Sequence, residues 1–189
     1  EEYSLQQLEI ADVGTGSGII AIAVAYHIIG ATVYATDISL DALHVADNNR
    51  QKHGVVDRVH LRQGDLLEAV EGPVDIIVAN LPYLSADDLV GLSSEVGWEP
   101  IRALDGGVDG LDVIRRFIRE VPSCLRASGC MLLEIAPSQG EAVLNLCREA
   151  FPDCELTILQ DLAGLSRAVR MVPLTESYHK YQRCQLVSL

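Results

Sequence analysis

The segment Gly14-Thr15-Gly16-Ser17-Gly18 constrains the fold of this chain more than any other. It follows Leu8–Val13, an apolar run of strand length, and precedes an apolar run of helix length at residues 19–29. Glycine lets the backbone turn tightly and approach a ligand closely, with a helix N-terminus beyond. This order predicts an α/β domain with a nucleotide-type site at the turn. A glycine-rich turn without a ligand is the alternative interpretation.

Strand-like and helix-like segments continue to alternate after this turn. Strands are predicted at residues 8–13, 32–36, 58–62, 74–79, 130–135, 155–159 and 168–172. Helices are predicted at residues 19–29, from Ser39 or Asp41 to about residue 52, at 111–126 and at 138–150. Gly30 is expected to form the C-cap of the first helix. The alternation is typical of a parallel sheet that is covered by helices on both faces.

The connection between the last two predicted strands is short. It comprises residues 160–167 only, which is too short for a helical crossover, so these two strands are expected to be antiparallel. We therefore predict a seven-stranded sheet in the order 3-2-1-4-5-7-6, with the seventh strand antiparallel. The segment 85–112, which contains Trp98-Glu99-Pro100, is less regular, and a loop of this length inside a compact domain is usually functional.

Composition limits the class of protein. With 189 residues, of which 49% are hydrophobic, the chain suits one domain (1–189) with a substantial core. The formal net charge is -13, from 27 acidic and 14 basic residues. Such a surface repels nucleic-acid phosphates and suits a cationic partner, although acidity also simply favours solubility. No apolar run reaches the ~20 residues that span a bilayer, so no membrane association is expected.

Cysteine and histidine provide no sign of a metal site. The five cysteines have no CxxC spacing, and the five histidines have no metal-binding spacing. The odd number of cysteines argues against a complete disulfide framework and fits reduced thiols in a cytoplasmic protein. The chain begins at Glu1 and its first strand follows within ten residues, so we expect it to be a piece of a longer protein.

Acidic residues occur at the ends of three successive predicted strands. Asp12 comes just before the glycine turn, Asp37 ends the second strand 19 residues after Gly18, and Asp65 follows the third. Gly18 stands one residue earlier than the third glycine of the GxGxxG pattern of NAD enzymes, and the spacing here is associated with S-adenosylmethionine. Asp37 could accept both ribose hydroxyls, and Asp65 could accept the adenine amino group. A helix N-cap and an ordinary turn residue are the respective alternatives.

The string Asn80-Leu81-Pro82-Tyr83 follows the buried strand Val74–Ala79 directly. It therefore lies at the strand end, where open α/β sheets place their ligand chemistry. A carboxamide and nearby backbone carbonyls can accept hydrogen bonds, proline stiffens the turn, and tyrosine offers a flat face. Together these groups could hold a planar NH2 group. A strand end followed by a proline turn is the alternative interpretation.

Two further segments complete a resemblance to a known family. They are Glu99-Pro100-x-x-Ala103-Leu104-x-Gly106-Gly107-x-Asp109-Gly110-Leu111 and Asp161-Leu162-Ala163-Gly164. Together with the glycine turn, Asp37 and Asn80-Leu81-Pro82-Tyr83, they resemble the HemK/PrmC family, whose members methylate the glutamine of peptide-chain release factors. The resemblance covers about residues 8–173. It implies a Rossmann-like class I methyltransferase fold and S-adenosyl-L-methionine as cofactor.

The resemblance also implies a set of site residues. Catalytic roles fall to Asn80, Leu81, Pro82 and Tyr83. Cofactor contacts are implied for Asp12, Gly14, Thr15, Gly16, Ser17, Gly18, Asp37, Ile38, Asp65, Leu66 and Asn80. In this scheme the substrate amide donates one hydrogen to the Asn80 side chain and the other to the Leu81 carbonyl, and Tyr83 packs beside the amide plane. No metal ligand is implied.

This sequence departs from the family in two ways. Leu81 stands where the family usually has the first proline of Asn-Pro-Pro-Tyr; a backbone carbonyl is still available there, with less rigidity. The family's N-terminal helical domain, which helps to recognise the protein substrate, is absent from this sequence. We expect a monomeric cytoplasmic enzyme that acts on a release factor without stable binding to nucleic acid or membrane.

Two other functions are compatible with the same residues. The Asn-x-Pro-Tyr string also occurs in methyltransferases that act on the amino groups of adenine or guanine, but the charge of -13 argues against a nucleic-acid substrate. A cofactor-binding module without turnover is the second alternative, and the intact Asn80 and Tyr83 argue against it.

Overall fold

A computed structural model describes residues 7–90 and 100–174. Seven strands run through this part of the chain. They are β1 (Leu8–Val13), β2 (Ala31–Asp37), β3 (Val59–Gln63), β4 (Val74–Ala79), β5 (Leu125–Glu134), β6 (Cys154–Gln160) and β7 (Ser166–Pro173). The helices are α1 (Ile19–His27), α2 (Leu40–Lys52), α3 (Ala86–Val90), α4 (Asp112–Cys124) and α5 (Gly140–Ala150), together with short 3₁₀ helices at Ile101–Ala103 and Pro137–Gln139.

The strands form a single sheet in the order β3-β2-β1-β4-β5-β7-β6. The pairs among β1 to β5 are parallel, whereas β7 is antiparallel to both β5 and β6. The predicted order and the antiparallel seventh strand are therefore confirmed. Because β1 and β4 are parallel neighbours, the glycine turn and Asn80 follow their strands at the same edge of the sheet. In doubly wound sheets this carboxyl edge binds ligands.

Helices cover both faces of the sheet because the strands bury successive side chains on opposite faces. Ile10 of β1 packs on one face with Ala21 and Ala25 of α1. The neighbouring Ala11 belongs to the core of the other face, which includes α4 and α5. Phe117 of α4 is completely buried there. Since successive side chains of a strand point to opposite faces, β1 joins the two cores directly.

The largest error in the predicted boundaries is at the start of β5. Sequence spacing extended the preceding helix to residue 126, but α4 ends at Cys124 and β5 begins at Leu125. Leu125 pairs with Val74 and Cys130 with Ile76, so a bulge of β5 lies between them. Gly129 occupies this bulge, where a Cβ atom would lie 2.8 Å from the Asp75 carbonyl oxygen. Pairing with β4 therefore extends a strand through residues whose local pattern suits a helix end.

The predicted end of α1 is also wrong. The helix stops at His27, and the N–H of Ile28 closes it by donating to the Val24 carbonyl at 2.8 Å. Gly30 does not adopt the left-handed conformation of a glycine C-cap. At the start of α2, Ser39 is the N-cap and its hydroxyl accepts from the N–H of Ala42. The expectations that concern Trp98 and Glu99 lie outside the described residues.

Candidate functional site

The glycine turn has a left-handed backbone at three positions. Gly14, Gly16 and Gly18 have φ values of 72°, 56° and 80°, which side-chain-bearing residues rarely adopt. The carbonyl oxygen of Thr36, at the end of β2, accepts hydrogen bonds from the N–H groups of both Gly14 and Thr15 at 2.9 Å. The turn is thus held against the neighbouring strand, and its remaining surface faces the carboxyl edge of the sheet.

Asp12 supports this turn from the protein interior. Its side chain is 1% exposed, and its Oδ2 accepts hydrogen bonds from the Thr15 hydroxyl at 2.6 Å and the Ala21 N–H at 3.0 Å. Burial raises the pKa of Asp12 from 3.8 to about 6, while these two hydrogen bonds act in the opposite direction. The carboxylate therefore connects the turn to the first turn of α1 from inside the protein.

Asp37 lies on the open side of the turn. Its Oδ2 accepts a hydrogen bond from the Gly16 N–H at 2.9 Å, and its Oδ1 accepts one from the Ser39 N–H at 2.8 Å. Each carboxylate oxygen can accept a further bond, so both remain available to hydroxyl groups of a ligand. Ser39, and not Asp37, caps α2, so the alternative N-cap interpretation of Asp37 is wrong.

The third strand end is formed by Asp65 and Leu66. The Asp65 Oδ2 pairs with the Arg116 Nη2 of α4 at 2.6 Å. Leu66 adopts a positive φ of 51°, which is unusual for a side chain of its size, and its carbonyl accepts a hydrogen bond from the Thr36 hydroxyl at 3.0 Å. Thr36 therefore binds the glycine turn through its backbone and the Leu66 turn through its side chain.

The string Asn80-Leu81-Pro82-Tyr83 directly contacts the glycine turn. Asn80 is exposed, whereas Leu81 is buried and 4% exposed. A Cβ atom placed on Gly14 would lie 3.1 Å from the Asn80 carbonyl oxygen and 3.1 Å from the Leu81 side chain. The absence of a side chain at Gly14 is thus what allows the two loops to meet.

Tyr83 and Leu84 are held by hydrogen bonds from later parts of the chain. The Leu84 N–H donates to the Leu104 carbonyl, and the Leu84 carbonyl accepts from the Gly106 N–H, both at 2.9 Å. The Tyr83 hydroxyl donates to the Glu134 Oε1 at 3.4 Å, and Gln139 donates to the Tyr83 carbonyl at 2.9 Å. The irregular segment near residue 105 thus contacts the end of the Asn80 loop, and Leu104 and Asp105 line the cavity beside it.

A cavity of about 940 Å³ lies between these loops. The predicted site residues that line it are Gly14, Gly16, Ser17, Asp37, Ile38, Asp65, Leu66, Asn80, Leu81, Pro82 and Tyr83. Three other predicted residues, Asp12, Thr15 and Gly18, do not line it and support the turn instead. The volume lies within the range of about 300–1,000 Å³ that is typical of small-molecule pockets.

Comparisons with known proteins identify the family of this chain. The sequence model of the ribosomal protein L11 methyltransferase family (PrmA) matches residues 1–95, which contain the glycine turn and Asn80-Leu81-Pro82-Tyr83. The release factor glutamine methyltransferase of Moorella thermoacetica is 46% identical over 159 residues, which are 84% of this chain and 56% of the relative. The chain belongs to the HemK/PrmC family.

Two other similar proteins place the HemK/PrmC chain among related methyltransferases. The ribosomal protein uL3 glutamine methyltransferase of Bradyrhizobium diazoefficiens is 43% identical over 78% of this chain and 45% of its own length. The structure of ribosomal protein L11 methylase from Lactobacillus delbrueckii subsp. bulgaricus superposes with a TM-score of 0.64, at 27% identity over 90% of this chain and 72% of that chain. The chain spans about half the length of the curated relatives it matches.

Three residues that hold the candidate site of this HemK/PrmC chain were not predicted from the sequence. Thr36, Arg116 and Gln139 bind the predicted loops through side-chain hydrogen bonds. Thr36 stands beside Asp37 at a strand end, and that position could have identified it. Gln139 comes five residues after the end of β5, at the same edge of the sheet, which is a weaker signal. No local pattern in the sequence identifies Arg116, which lies inside an amphipathic helix.

Metal-binding clusters and cysteine thiols are two other kinds of reactive group to consider in the described residues. Within residues 7–90 and 100–174, no cluster of three or more histidine, cysteine, aspartate or glutamate side chains could hold a metal ion. Burial raises the pKa of the Cys147 thiol to about 12, so that residue is a poor nucleophile at neutral pH. No described helix is long and apolar enough to cross a membrane.

Proposed function

We propose that this chain transfers a methyl group from S-adenosylmethionine to the side-chain amide nitrogen of a glutamine in a protein. The observation that carries the proposal is the contact of Asn80-Leu81-Pro82-Tyr83 with the glycine turn across one cavity. This arrangement puts acceptors for an NH2 group beside a site suited to a nucleoside. The names of similar proteins, which include two kinds of glutamine methyltransferase, support the same reaction.

The residues around the cavity fit the proposed cofactor. Space for a ligand lies beside Gly16, where an added Cβ would meet no atom within 4 Å. The Asp37 carboxylate next to it can accept hydrogen bonds from ribose hydroxyls. Ile38 and Val45, which are 39% and 49% exposed, line the same cavity and offer apolar surface to a base. The bound cofactor would supply an electrophilic methyl group.

The role of the Asn80 loop follows from the chemistry of amides. An amide nitrogen is a poor nucleophile because its lone pair is delocalised into the carbonyl group. In this proposal the Asn80 side-chain oxygen and the Leu81 carbonyl accept the two amide hydrogens, and both acceptors favour positive charge on that nitrogen. Tyr83 packs beside the amide plane, and positioning supplies much of the remaining rate acceleration. On accepting the methyl group the amide nitrogen would become positively charged, and the cofactor sulfur would keep the electron pair of the broken bond. The charged nitrogen would then lose its proton readily to water, so the chain needs no strong base.

A peptide-chain release factor is the proposed substrate. Relatives that are 39–46% identical to this chain carry the name release factor glutamine methyltransferase. Another relative, at 43% identity, carries the name ribosomal protein uL3 glutamine methyltransferase. We further propose that residues 1–189 form one methyltransferase domain, and that it acts as a monomer in the cytoplasm without stable contact with nucleic acid or membrane.

Replacement of Asn80 by alanine tests the proposal. The loss of one preorganised hydrogen-bond partner typically costs about 100- to 1,000-fold in rate, and Asn80→Ala should slow methyl transfer by about this factor. Cofactor affinity should change much less, because Gly16 and Asp37 are unaltered. The measurement is single-turnover transfer of labelled methyl to a release factor, with ribosomal protein uL3 as a second substrate and cofactor binding followed by calorimetry.

Asn80→Asp is the matched variant. It retains an oxygen acceptor of almost the same shape and adds a charge, so partial activity is expected. Transfer to the substrate glutamine at the parent rate by Asn80→Ala would reduce Asn80 to a turn residue and contradict the mechanism. Transfer to uL3 alone would retain the reaction and change the substrate.

A further inference from the structure

Gln139 is a buried polar side chain to which the mechanism above assigns no role. It ends the short 3₁₀ helix Pro137–Gln139 that follows β5, and it is 8% exposed. Burial of a carboxamide is unfavourable unless its donors and acceptor find partners. The partners of Gln139 therefore indicate what its burial stabilises.

All three polar functions of the Gln139 carboxamide are engaged. Its Oε1 accepts a hydrogen bond from the Ala136 N–H at 3.0 Å. Its Nε2 donates to the Tyr83 carbonyl at 2.9 Å and to the Gly110 carbonyl at 3.2 Å. Since an NH2 group carries two hydrogens, each carbonyl can receive one of them. The side chain thus joins the end of β5 to two separate loops of the site.

The backbone conformation of Gly110 and its lack of a side chain fit this arrangement. It has a φ of 74°, and a Cβ atom there would lie 2.4 Å from the Tyr83 carbonyl oxygen and 2.8 Å from the Gln139 Nε2. Both distances are far below ordinary contact, so only glycine allows the Gly110 segment to approach Tyr83 this closely. Gln139 and Gly110 therefore depend on each other to hold the Tyr83 backbone.

The position of Tyr83 explains how the hydrogen bond from Gln139 affects the loop that contains Asn80 and Leu81. Asn80 and Leu81 lie between two anchors: upstream, Ala79 pairs with Val13 of β1 and Leu133 of β5, and downstream, the Tyr83 carbonyl is held by Gln139. The sheet holds the first anchor. The Gln139 side chain and the backbone bonds of Leu84 hold the second.

We propose that Gln139 is a positioning residue for methyl transfer: it holds the Tyr83 end of the Asn80 loop in its reactive geometry and touches neither substrate nor cofactor. Gln139 does not line the cavity, which agrees with an indirect role. The inference rests on the proposed function for the reaction that it serves. Its structural part, a brace between Gln139, Tyr83 and Gly110, stands on the hydrogen bonds alone.

Gln139→Met is the principal test, because methionine has a similar length and no hydrogen-bond donor. A misplacement of about 1 Å in a supporting residue costs about 100-fold in rate, and Gln139→Met should lower kcat by about 10- to 100-fold. The affinity for S-adenosylhomocysteine, measured by calorimetry, should remain close to that of the parent. Gly110→Ala perturbs the same brace from the other side and should produce the same separation of kcat from cofactor affinity. The double variant should lose little more than either single variant.

A stability control and a readout without turnover complete the experiment. Val121→Ala removes a buried side chain of α4 that has no hydrogen bond to the loops, so it should lower stability and leave kcat unchanged at temperatures well below unfolding. Hydrogen exchange of the Leu84 and Gly106 amides, which bond across the two loops, should become faster in Gln139→Met and not in Val121→Ala.

The outcomes separate the brace from the function that it serves. Parental exchange of these amides in Gln139→Met would overturn the brace, and parental kcat together with faster exchange would overturn its role in positioning. An equal loss of kcat in Val121→Ala and Gln139→Met would also overturn that role. Failure of the parent protein to methylate any glutamine substrate would overturn the proposed function, and the exchange measurement would still decide whether the brace exists.

Discussion

The buried carboxylate of Asp12 holds the glycine turn in place and also makes the stability of the protein depend on pH. It holds Thr15 and the start of α1 through two hydrogen bonds, yet burial raises its pKa from 3.8 to about 6. A raised pKa means that the folded protein binds this proton more tightly than the unfolded chain does. The contribution of Asp12 to stability is therefore greatest below pH 3.8 and is lost as the pH rises through about 6.

Replacement of Asp12 by asparagine should remove this dependence. A shift of about two pKa units corresponds to roughly 3 kcal/mol, so the free energy of unfolding of the parent should fall relative to that of Asp12→Asn by about this amount as the pH rises from acid to neutral. Urea unfolding at a series of pH values measures the difference. Asp57→Asn, at an exposed position, is the control. A parent-to-variant difference that rises with pH would contradict the assignment.

Asp37 is expected to bind the cofactor directly. Its carboxylate lies on the open side of the glycine turn, so Asp37→Ala should weaken binding of S-adenosylhomocysteine by about 1–3 kcal/mol, as for lost hydrogen bonds to a charged group. Calorimetry measures the change. Asp41→Ala removes a carboxylate that also lines the cavity and has no bond to the glycine turn, so its effect should be smaller. Equal affinity of the parent for NADH and for S-adenosylhomocysteine would contradict the cofactor assignment.

At the scale of elements, two loops from parallel neighbouring strands meet at the carboxyl edge of the sheet. The glycine turn after β1 and the Asn80 loop after β4 touch where Gly14 faces Asn80 and Leu81. The two glycines of this turn that line the cavity differ in what surrounds them. Gly14 is confined by the Asn80 loop, whereas Gly16 faces open space.

This difference predicts distinct effects of two alanine substitutions. Both residues have positive φ, so each substitution carries backbone strain of about 1–3 kcal/mol. Gly14→Ala adds a Cβ that presses on the Asn80 backbone and should slow single-turnover methyl transfer even when cofactor is saturating. Gly16→Ala should act mainly on cofactor affinity. Equal single-turnover rates for the two variants at saturating cofactor would show that the loops do not depend on their contact at Gly14.

At the scale of the whole molecule, charge and architecture act separately. The sheet buries two cores and carries the site at one edge, whereas the net charge of -13 is a sum over the whole sequence. A protein that binds DNA or RNA gains much of its affinity from cationic contacts with phosphates. This sequence has 14 basic residues against 27 acidic ones, so a nucleic acid is not the expected class of substrate.

Nucleic acids should not accept the methyl group. Under conditions in which a protein glutamine is labelled, duplex DNA and transfer RNA should remain unlabelled at an ionic strength of about 0.15 M, because the acidic surface repels phosphates. The measurement is filter-bound label after incubation with each substrate. A nucleic-acid methyltransferase assayed in parallel confirms that the oligonucleotides are competent. Label in adenine or guanine would move this chain to the other class of amino-group methyltransferases.

Local patterns predicted the main features of the fold because each is encoded in a few adjacent residues. The glycine turn between an apolar strand and an apolar helix identified the α/β architecture, and the short link before β7 identified the antiparallel pair. The strand ends at Asp37, Asp65 and Asn80 were recognisable in the same way. Parallel strands bring their carboxyl ends to one edge, so these residues were expected near each other, and all three line one cavity.

Contacts between distant residues required the tertiary structure. Arg116 and Asp65 are 51 residues apart, and Gln139 and Tyr83 are 56 apart, so no local pattern connects either pair. The start of β5 depended on pairing with β4, which extended the strand to Leu125. The residues that end the strands could be predicted from the sequence, because side-chain periodicity and glycine act locally. The side chains that brace those ends could not, because a hydrogen bond between distant segments depends on where the whole chain has packed.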